Sequence, residues 1–474
     1  MTVELHTNDI NSHYQPTDNI DSLSGKRQMK STFSLASLFG LRMLGLFMIL
    51  PIFALYANQL HGATTLWVGL TLGVYGATSC LFQLIFGWAS DHFGRKKIIA
   101  LGLLIFAIGS LIAGLSDSIY GVFIGRALQG AGAIGSATLA LIADLTKDKH
   151  RTKAMATVGM TIGFSFVIAM VLGPLLVGHI GLSGLFYLTG ALALIAIIVL
   201  YKVVPSPKRS ITHEGNTARW SQFKTVMTSP QLLNLDLGIF TLHAVLTASF
   251  MFIPLDMLHQ LSLDAHEQWM VYLPVFIVSV IFMVPFVIIA EKKRHMKGVL
   301  LGMIALMLIS QLGVWLFDSN LPGIIISLML FFTAFTVLEA LLPSWISKVS
   351  PVAAKGTAMG IYSSSQYLGA FIGGSIAGLL LSWHNSTALM IIILVALAVW
   401  WILSFLQAKP PHYSSRLIHV GALNAQQAAT LQATLAKRPG VVEVMVAKEE
   451  GTAYLKVIAD LYQDNDNQAQ ATET

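Results

Sequence analysis

The sequence predicts an all-α membrane protein in which twelve transmembrane helices form two six-helix bundles, followed by a small α+β domain. Three observations support this class. The 474 residues are 55% hydrophobic and only 11% charged, whereas about a quarter of the residues in a soluble domain are charged. Twelve apolar segments each reach the roughly 20 residues that cross a bilayer. Lys and Arg cluster between alternate segments, as expected when the basic loops share one side of a membrane.

The apolar segments set the predicted domain boundaries. Residues 1–31 are polar and lack the apolar core of a signal peptide, so we predict a disordered cytosolic tail. An N-terminal bundle over 32–204 and a C-terminal bundle over 231–408 are separated by a cytosolic linker, 205–230. The linker contains an amphipathic piece, Trp220–Lys224, suited to the membrane surface. The predicted spans are 33–59, 65–87, 98–117, 118–143, 154–178, 182–204, 231–259, 268–290, 298–317, 321–347, 356–382 and 386–408.

The charge pattern predicts the orientation. The loops after even-numbered spans hold the basic clusters, and the loops after odd-numbered spans hold no Lys or Arg. Of the 29 Lys and Arg residues, Arg42 and Arg126 lie inside predicted spans, and the other 27, including Lys202 at the end of the sixth span, fall on one side. Because basic loops stay in the cytoplasm, we predict a bacterial inner-membrane protein with both termini cytoplasmic. The net charge of +6 then reflects topology and contact with membrane lipid, and no nucleic-acid binding is expected.

The sequence gives no sign of enzyme or metal chemistry. Its single cysteine, Cys80, lies inside an apolar segment, so neither a disulfide framework nor a thiolate metal site is expected. The sequence contains no His-Glu-x-x-His motif, phosphate-binding loop or nucleophile–base set. We therefore predict no enzyme activity, no metal and no cofactor. The expected partners are membrane lipid, protons and a small-molecule substrate.

From about residue 412 to 474 the composition is that of a soluble, cytosolic domain. We predict a strand, a helix and a hairpin at Ser415–Val420, Asn424–Lys437, Val441–Ala447 and Ala453–Ile458. This order resembles a ferredoxin-like fold of the heavy-metal-associated type, although the Cys-x-x-Cys that captures metal in such domains is absent. Two interpretations are open: an appendage with an unknown partner, or a module for regulation, ligand binding or self-association.

A charged motif joins the second and third predicted spans. Gly87–Lys97 reads Gly-Trp-Ala-Ser-Asp-His-Phe-Gly-Arg-Lys-Lys. It resembles the loop between the second and third helices of the major facilitator superfamily, a family of secondary transporters. The resemblance implies that Asp91 faces the start of the eleventh span, where helix N–H groups attract a carboxylate. It also implies that Arg95 pairs with Asp144 at the end of the fourth span.

Two glycines belong to the same motif. Gly87 and Gly94 are expected to permit a helix end and a tight turn. By the resemblance, the whole cluster is a latch that closes the cytoplasmic side of the transporter. The alternative is that the loop only anchors two helix ends.

Two further elements resemble motifs of this superfamily. In the fourth span, Arg126 and Gln129 match an Arg-x-x-Gln-Gly element and share a helix face. The resemblance implies a role in proton coupling, and a structural hydrogen-bonding role is the alternative. In the fifth span, Gly173 and Pro174 match part of a glycine-rich motif of antiporters and predict close helix contact with a bend. Other glycines of that motif are absent here, which weakens the inference of antiport.

Four ionisable residues inside predicted spans are candidates for transport chemistry. Arg42 is either functional or an anchor that reaches the headgroups. Asp236 and His243 lie seven residues apart on one helix face, so they are either a proton-carrying pair or a headgroup-level acid beside a structural histidine. Glu339 is the most deeply placed acid and suits a cycle of protonation and release.

Taken together, the resemblance implies proton-driven export of small lipophilic or drug-like molecules by alternating access, as in the drug-efflux branch of the superfamily. Two alternatives remain open. One is a proton-coupled importer of another small solute, and the other is a non-transporting membrane sensor that signals through the C-terminal domain.

Overall fold

The computed structural model describes residues 25–146, 148–205, 216–408, 413–421, 423–447, 451–458 and 461–462. Most of the predicted tail over 1–31 therefore lies outside the described residues. Its last part, from Gly25, is not a tail as predicted, because it begins the first helix. The sequence there consists largely of good helix formers, and a helix needs no apolar side chains once it leaves the bilayer.

Thirteen α-helices occupy the described residues before 409. The N-terminal half contains α1 (Gly25–Tyr56), α2 (Thr65–Phe93), α3 (Arg95–Leu115), α4 (Ile119–Ala131), α5 (Gly135–Leu145) and α6 (Asp148–Lys202). The linker contains α7 (Asn216–Met227), and the C-terminal half contains α8 (Pro230–His259), α9 (Trp269–Glu291), α10 (Met296–Leu316), α11 (Leu321–Val349), α12 (Lys355–Ser382) and α13 (Ser386–Leu406). Ten helical segments among the described residues are long and apolar enough to cross a membrane. The chain is a multi-pass membrane protein.

The predicted fourth span, 118–143, is not one continuous helix. It is made of α4 and α5, and the backbone between them is not helical. Gly132, at this break, packs directly on α3, where a Cβ would lie 2.3 Å from the carbonyl oxygen of Gly102. The sequence did not reveal the break because hydropathy records immersion in lipid and is insensitive to a few non-helical residues.

The fifth and sixth predicted spans, 154–178 and 182–204, both lie within α6. The backbone of α6 leaves the helical region at Gly181, where φ is +67°. Glycine adopts this value without steric cost, so one residue is enough to connect the two segments.

Each half of the protein packs around its own helices, and the halves meet along three helix pairs. In the N-terminal half, α1 packs along α6, and α3 packs between α4 and α6. In the C-terminal half, α11 packs against α9 and α10, and α8 against α12. Between the halves, α2 lies along α12, α1 contacts α8, and α6 contacts α9. Aromatic rings reinforce this interface: the centroid of Phe166 is 5.6 Å from that of Phe276 and 5.4 Å from that of Phe335.

Glycines bring the backbones of α2 and α12 into contact at one end of this interface. A Cβ on Gly69 would lie 2.3 Å from the carbonyl oxygen of Gly374 and 2.6 Å from the Cα of Gly378. A Cβ on Gly76 would lie 2.3 Å from the carbonyl oxygen of Tyr367. These positions belong to the first part of α2 and the later part of α12, which share the end of the protein where the odd-numbered loops lie.

The interface is open at the opposite end, where the charged motif lies. In α6, Gly159 and Gly163 share a helix face with Phe166. In α12, Gly356 and Gly360 share the face that makes the glycine contacts with α2. A Cβ on any of these four glycines would meet no atom within 4 Å. The two halves therefore touch at the odd-loop end and separate at the motif end.

The C-terminal domain contains β1 (Tyr413–His419), α14 (Ala425–Ala436), β2 (Val441–Ala447) and β3 (Thr452–Ile458). Its three strands form an antiparallel sheet in the order β1-β3-β2. Helix α14 starts at a capping box in which Asn424 and Gln427 each accept a backbone N–H of the other. Leu435 packs with Val444, Leu455 and neighbouring apolar side chains to form a small core. The elements lie within two residues of their predicted positions.

The sheet is seated on the connection between α11 and α12. The Lys456 ammonium donates hydrogen bonds to the carbonyl oxygens of Val349 and Ser350, the latter at 3.2 Å. The backbone N–H of Val352 donates to the Glu443 carboxylate at 3.0 Å. Lys456 is 7% exposed, and this burial lowers its pKa. The domain is thus joined by polar contacts to the end of α11 and to the connection that leads into α12.

Candidate functional site

The charged motif is a compact ionic cluster at the junction of α2 and α3. The Arg95 guanidinium pairs with the Asp91 carboxylate, donates to the Ser90 hydroxyl at 2.8 Å, and donates through Nε to Asp144 Oδ2 at 3.0 Å. The structure therefore brings together Arg95 and Asp144, the pair implied by the sequence resemblance. Because Arg95 is 9% exposed, its charge-assisted bonds hold α2, α3 and α5 together.

The motif is not the loop that the span boundaries predicted. Helix α2 continues through Phe93 and α3 begins at Arg95, so Gly94 alone separates them, with φ +99°. Gly87 lies inside α2 and does not mark a helix end. It permits α2 to approach α5, because a Cβ there would lie 3.2 Å from Ser136 Oγ. Helix ends and apolar boundaries differ here since a helix can extend beyond the hydrocarbon layer.

A polar network crosses the interior of the N-terminal half. Arg126 Nη1 donates to Gln129 Oε1 at 2.9 Å, and Gln129 Nε2 donates to Ser110 Oγ at 2.8 Å. The Thr189 hydroxyl donates to the same oxygen at 3.2 Å. Arg126 is 3% exposed, and its Cζ lies 5.0 Å from the centroid of the Tyr75 ring. The four helices α2, α3, α4 and α6 thus meet at a buried positive charge whose partners in this network are neutral.

Arg42 is a second buried positive charge beside the same tyrosine. It is 1% exposed, which contradicts the headgroup-anchor interpretation, since an anchor exposes its charged end. Its Cζ lies 5.8 Å from the ring centroids of Tyr75 and Phe106. Among the described residues, its three guanidinium nitrogens make no hydrogen bond of ordinary geometry, although the Tyr367 hydroxyl lies within their reach. Tyr75 is therefore shared by two guanidinium groups, Arg42 and Arg126.

The energy of this arrangement is unfavourable for the protein alone. An arginine in the middle of a membrane costs about 3 kcal/mol by insertion scales. A cation–π contact offsets about 0.5–2 kcal/mol of that cost. Because arginine keeps its proton in proteins, the charges of Arg42 and Arg126 are not removed by neutralisation, and the aromatic contacts compensate them only in part.

The C-terminal half contains a second polar cluster, built from three helices. The amide nitrogen of Gln366 is 2.8 Å from His243 Nε2 and 3.2 Å from Glu339 Oε1. His243 Nε2 lies 3.8 Å from Glu339 Oε2, and His243 Nδ1 lies 3.3 Å from the carbonyl oxygen of Ile239. An amide that donates to Nε2 and a carbonyl that accepts from Nδ1 fit a neutral imidazole protonated on Nδ1.

This cluster differs from the pair predicted from the sequence. Asp236 is 5% exposed, and its carboxylate oxygens have no hydrogen-bond partner among the described residues. Seven residues of helix separate it from His243, which corresponds to about 10 Å along the axis. Asp236 and His243 do share one face of α8. The side chains that contact His243, however, are Glu339 of α11 and Gln366 of α12. Sequence reasoning missed Gln366, whose only signal is a polar Ser-Ser-Ser-Gln run inside the eleventh span.

Tyr367 connects the two clusters across the interface. Its ring centroid is 6.3 Å from that of Tyr75. Its hydroxyl lies within hydrogen-bonding reach of the Arg42 guanidinium, and the Glu339 carboxylate also acts on it electrostatically. The two arginines of the N-terminal half and the His243–Gln366–Glu339 cluster of the C-terminal half therefore both lie near Tyr367, at the interface between the halves.

The remaining predicted site residues pack α6 against α1. A Cβ on Gly173 would lie 2.3 Å from the carbonyl oxygen of Met48, so only glycine allows this approach, and Pro174 lies inside the helix. Within the described ranges, no group of three or more His, Cys, Asp or Glu side chains is arranged to hold a metal ion.

Comparison with known proteins identifies relatives along nearly the whole chain. A family profile described as Major Facilitator Superfamily matches residues 35–262 and 235–439. The inner membrane transport protein YajR of Escherichia coli (strain K12) is 40% identical over 91% of this chain and 94% of that protein. Multidrug resistance protein 1 of Bacillus subtilis (strain 168) is 30% identical over 42% of this chain and 51% of that protein. The crystal structure of a D-xylose–proton symporter superposes with a TM-score of 0.63 at 16% identity, over 81% of this chain and 98% of the symporter.

Proposed function

Because the chain belongs to the major facilitator superfamily of transporters, we propose that it is a proton-coupled secondary active transporter that exports small lipophilic or drug-like molecules. The observation that carries the proposal is the His243–Gln366–Glu339 cluster, a protonatable group held between three helices of one half. The similarity to a protein named for multidrug resistance supports export. The similarity to an inner membrane transport protein supports placement in the bacterial inner membrane.

We propose twelve transmembrane helices with both termini in the cytoplasm. Helices α4 and α5 together form the fourth span, and α6 forms the fifth and sixth on either side of Gly181. With the ends assigned by the basic loops, the structure is closed toward the periplasm and open toward the cytoplasm. That is the geometry from which an exporter collects its cargo.

Glu339 is the proposed proton carrier. Its side chain is 33% exposed, while one carboxylate oxygen accepts from Gln366. We propose that it takes up and releases a proton at Oε2, which is buried and has no hydrogen-bond partner among the described residues, while Oε1 stays held by Gln366. When Glu339 is charged, it attracts a proton or a positively charged His243, and when it is neutral, that attraction ends. We propose that the two halves bind each other with one affinity when Glu339 is charged and with another when Glu339 is neutral.

The charged motif is the proposed latch of the cytoplasmic side. Arg95 fixes Asp91 and Asp144 to each other through one guanidinium group, and Gly94 is the joint between α2 and α3. We propose a ferredoxin-like fold for the terminal domain. We also propose that the domain regulates the transporter through its contacts with the connection between α11 and α12. In the sensor alternative, the same contacts would carry a signal without transport.

Proton flux in proteoliposomes tests the function. Liposomes that contain the full-length protein enclose the pH dye pyranine, a pH gradient is imposed, and lipophilic compounds of either charge are added. We expect substrate-dependent proton movement that Glu339→Gln abolishes and Asp318→Asn, a control at an exposed carboxylate, leaves intact. Unchanged proton movement in Glu339→Gln would remove Glu339 as the carrier.

The same assay separates the alternatives. Protons and substrate that move in opposite directions support export, and movement in the same direction supports the importer. If deletion of residues 412–474 leaves flux intact, the terminal domain is dispensable for transport. If the full-length protein moves neither protons nor any compound of the panel, the transporter proposal fails and the sensor alternative gains.

A further inference from the structure

We propose that Arg42 and Arg126, on the two sides of Tyr75, bind an anionic group of the transported molecule, a carboxylate or a sulfonate. The inference names the substrate class of the proposed transporter and rests on that function for the identity of the ligand as cargo. It departs from the expectation of a merely lipophilic molecule. The site itself is defined by contacts within the N-terminal half and by Tyr367 across the interface.

The Arg42 guanidinium group has N–H donors that can bind an anion. Arg42 is 1% exposed, and its guanidinium nitrogens make no hydrogen bond of ordinary geometry among the described residues, although the neutral Tyr367 hydroxyl lies within their reach. A guanidinium group is a rigid fork of N–H donors whose geometry matches a carboxylate or a sulfonate oxygen pair. The rings of Tyr75 and Phe106 attract its charge at 5.8 Å but accept no hydrogen bond in the plane of the fork.

The second step is charge balance. Arg126 bonds to the neutral Gln129, and its Nε has no partner within the described part of the chain. Its network continues to Ser110 and Thr189, which are also neutral. Asp91 and Asp144, two acids of this half, pair with Arg95. Two positive charges thus share one aromatic ring, neither is paired with a carboxylate among the described residues, and Glu339 of the other half acts on the same Tyr367 hydroxyl as Arg42.

The third step is the location of the site. Tyr367 of α12 faces Tyr75 with ring centroids 6.3 Å apart, so a ligand beside Tyr75 lies next to the interface between the halves. The Tyr75 hydroxyl is buried and has no partner among the described residues, so it can donate to an anionic oxygen. The interface opens toward the motif end, and aromatic rings surround the charges. The charges and rings of the site therefore favour an aromatic or otherwise lipophilic molecule with one negative group over a cation of the same shape.

Direct binding to the purified full-length protein tests this assignment without any gradient. The probes are 1-naphthoate, naphthalene-1-sulfonate and 1-naphthylmethylammonium, which share one ring system and differ in charge, and calorimetry measures their Kd. We expect at least one anionic probe to bind about tenfold or more tightly than the ammonium probe. We expect Arg42→Gln and Arg126→Gln each to weaken that anion by about tenfold or more, and Arg42→Lys to weaken it less, because lysine keeps the charge and loses the fork.

Lys202→Gln, which removes one exposed positive charge, is the matched control and should bind like the unmodified protein. Size-exclusion profiles identify any variant that fails to fold. If a Gln variant fails to fold, the affinity of Arg42→Lys for the anionic probe tests the proposal in its place. The proposal is overturned if the ammonium probe binds as tightly as the anions, if no anionic probe binds, or if both Gln variants bind the anions unchanged. Because binding needs no proton gradient, failure of proton-coupled transport leaves these outcomes readable, and failure here leaves the transport assay unaffected.

Discussion

Replacement of Gly69 by alanine should shift the protein away from the conformation described above. The new Cβ would lie 2.3 Å from the carbonyl oxygen of Gly374 and 2.6 Å from the Cα of Gly378, whereas ordinary contacts of a Cβ begin at 3.4 Å. Both neighbours are backbone atoms, so α2 and α12 must separate by about 1 Å, and such overpacking costs about 1–3 kcal/mol. The cost applies only where this end of the interface is closed. The population ratio of the two conformations should therefore change by about 5–150-fold.

The labelling rate of a single cysteine measures that shift. Cys80 is the only cysteine of the chain, so Cys80→Ser gives a background into which Gly360→Cys can be introduced. Gly360 lies on the open face of α12, and a maleimide should label a cysteine there rapidly. Adding Gly69→Ala should slow labelling about fivefold or more, since closure of the motif end accompanies opening of the other end.

Gly298→Ala is the control for this experiment. A Cβ on Gly298 meets no atom within 4 Å, so this substitution adds the same methyl group without overlap and should leave the rate unchanged. An unaltered labelling rate in Gly69→Ala would show that the contact between the glycines of α2 and α12 does not hold this end of the interface closed.

Three further predictions follow from the buried polar groups. Arg42→Met should raise the Tm by about 1 °C, because it removes an uncompensated charge that costs about 1 kcal/mol, and a chain of this length has an unfolding entropy of about 1 kcal/mol/K. Arg95→Met should lower the Tm by leaving Asp144 unpaired. A fall in the Tm of both variants would show that the Arg42 charge is compensated. Gln366→Leu should reduce substrate-dependent proton flux about tenfold, since hydrogen bonds to charged groups contribute about 1.5–3 kcal/mol. The control variant Gln260→Leu, at an exposed position, should have full flux. Equal flux in the two variants would exclude a role for Gln366. Lys456→Met should speed proteolytic release of the terminal domain. The control variant Lys437→Met, at the end of α14, should be digested at the rate of the unmodified protein. Identical digestion of the two variants would show that Lys456 does not hold the domain in place.

The membrane-spanning regions could be predicted from the sequence because immersion in lipid imposes a simple requirement on side chains. The sequence could not show where helices end or break. Gly94 is the whole connection between α2 and α3, and residues near Gly132 interrupt the fourth span, yet neither feature changes hydropathy. Both depend on close packing with a neighbouring helix, which the sequence of one helix does not contain.

The candidate site was predictable only in part, for a related reason. Helical spacing correctly identifies residues that share a face, such as Arg126 and Gln129, and the motif resemblance supplied the pair of Arg95 and Asp144. Spacing does not tell which other helices that face meets. The partners of His243 come from α11 and α12, and the sharing of Tyr75 by two arginines requires α1, α2 and α4 to converge.

The seat of the terminal sheet has a mechanical consequence for the membrane part. Lys456 and Glu443 grip the connection from which α12 starts, and α12, with 28 residues, is a rod about 42 Å long. A tilt of about 5° at the gripped end carries the far end through roughly 4 Å, since the rod acts as a lever of that length. At the far end Gly378 touches Gly69 with no room for a methyl group. A small rotation of the terminal β-sheet would therefore separate α2 from α12 at the opposite side of the membrane.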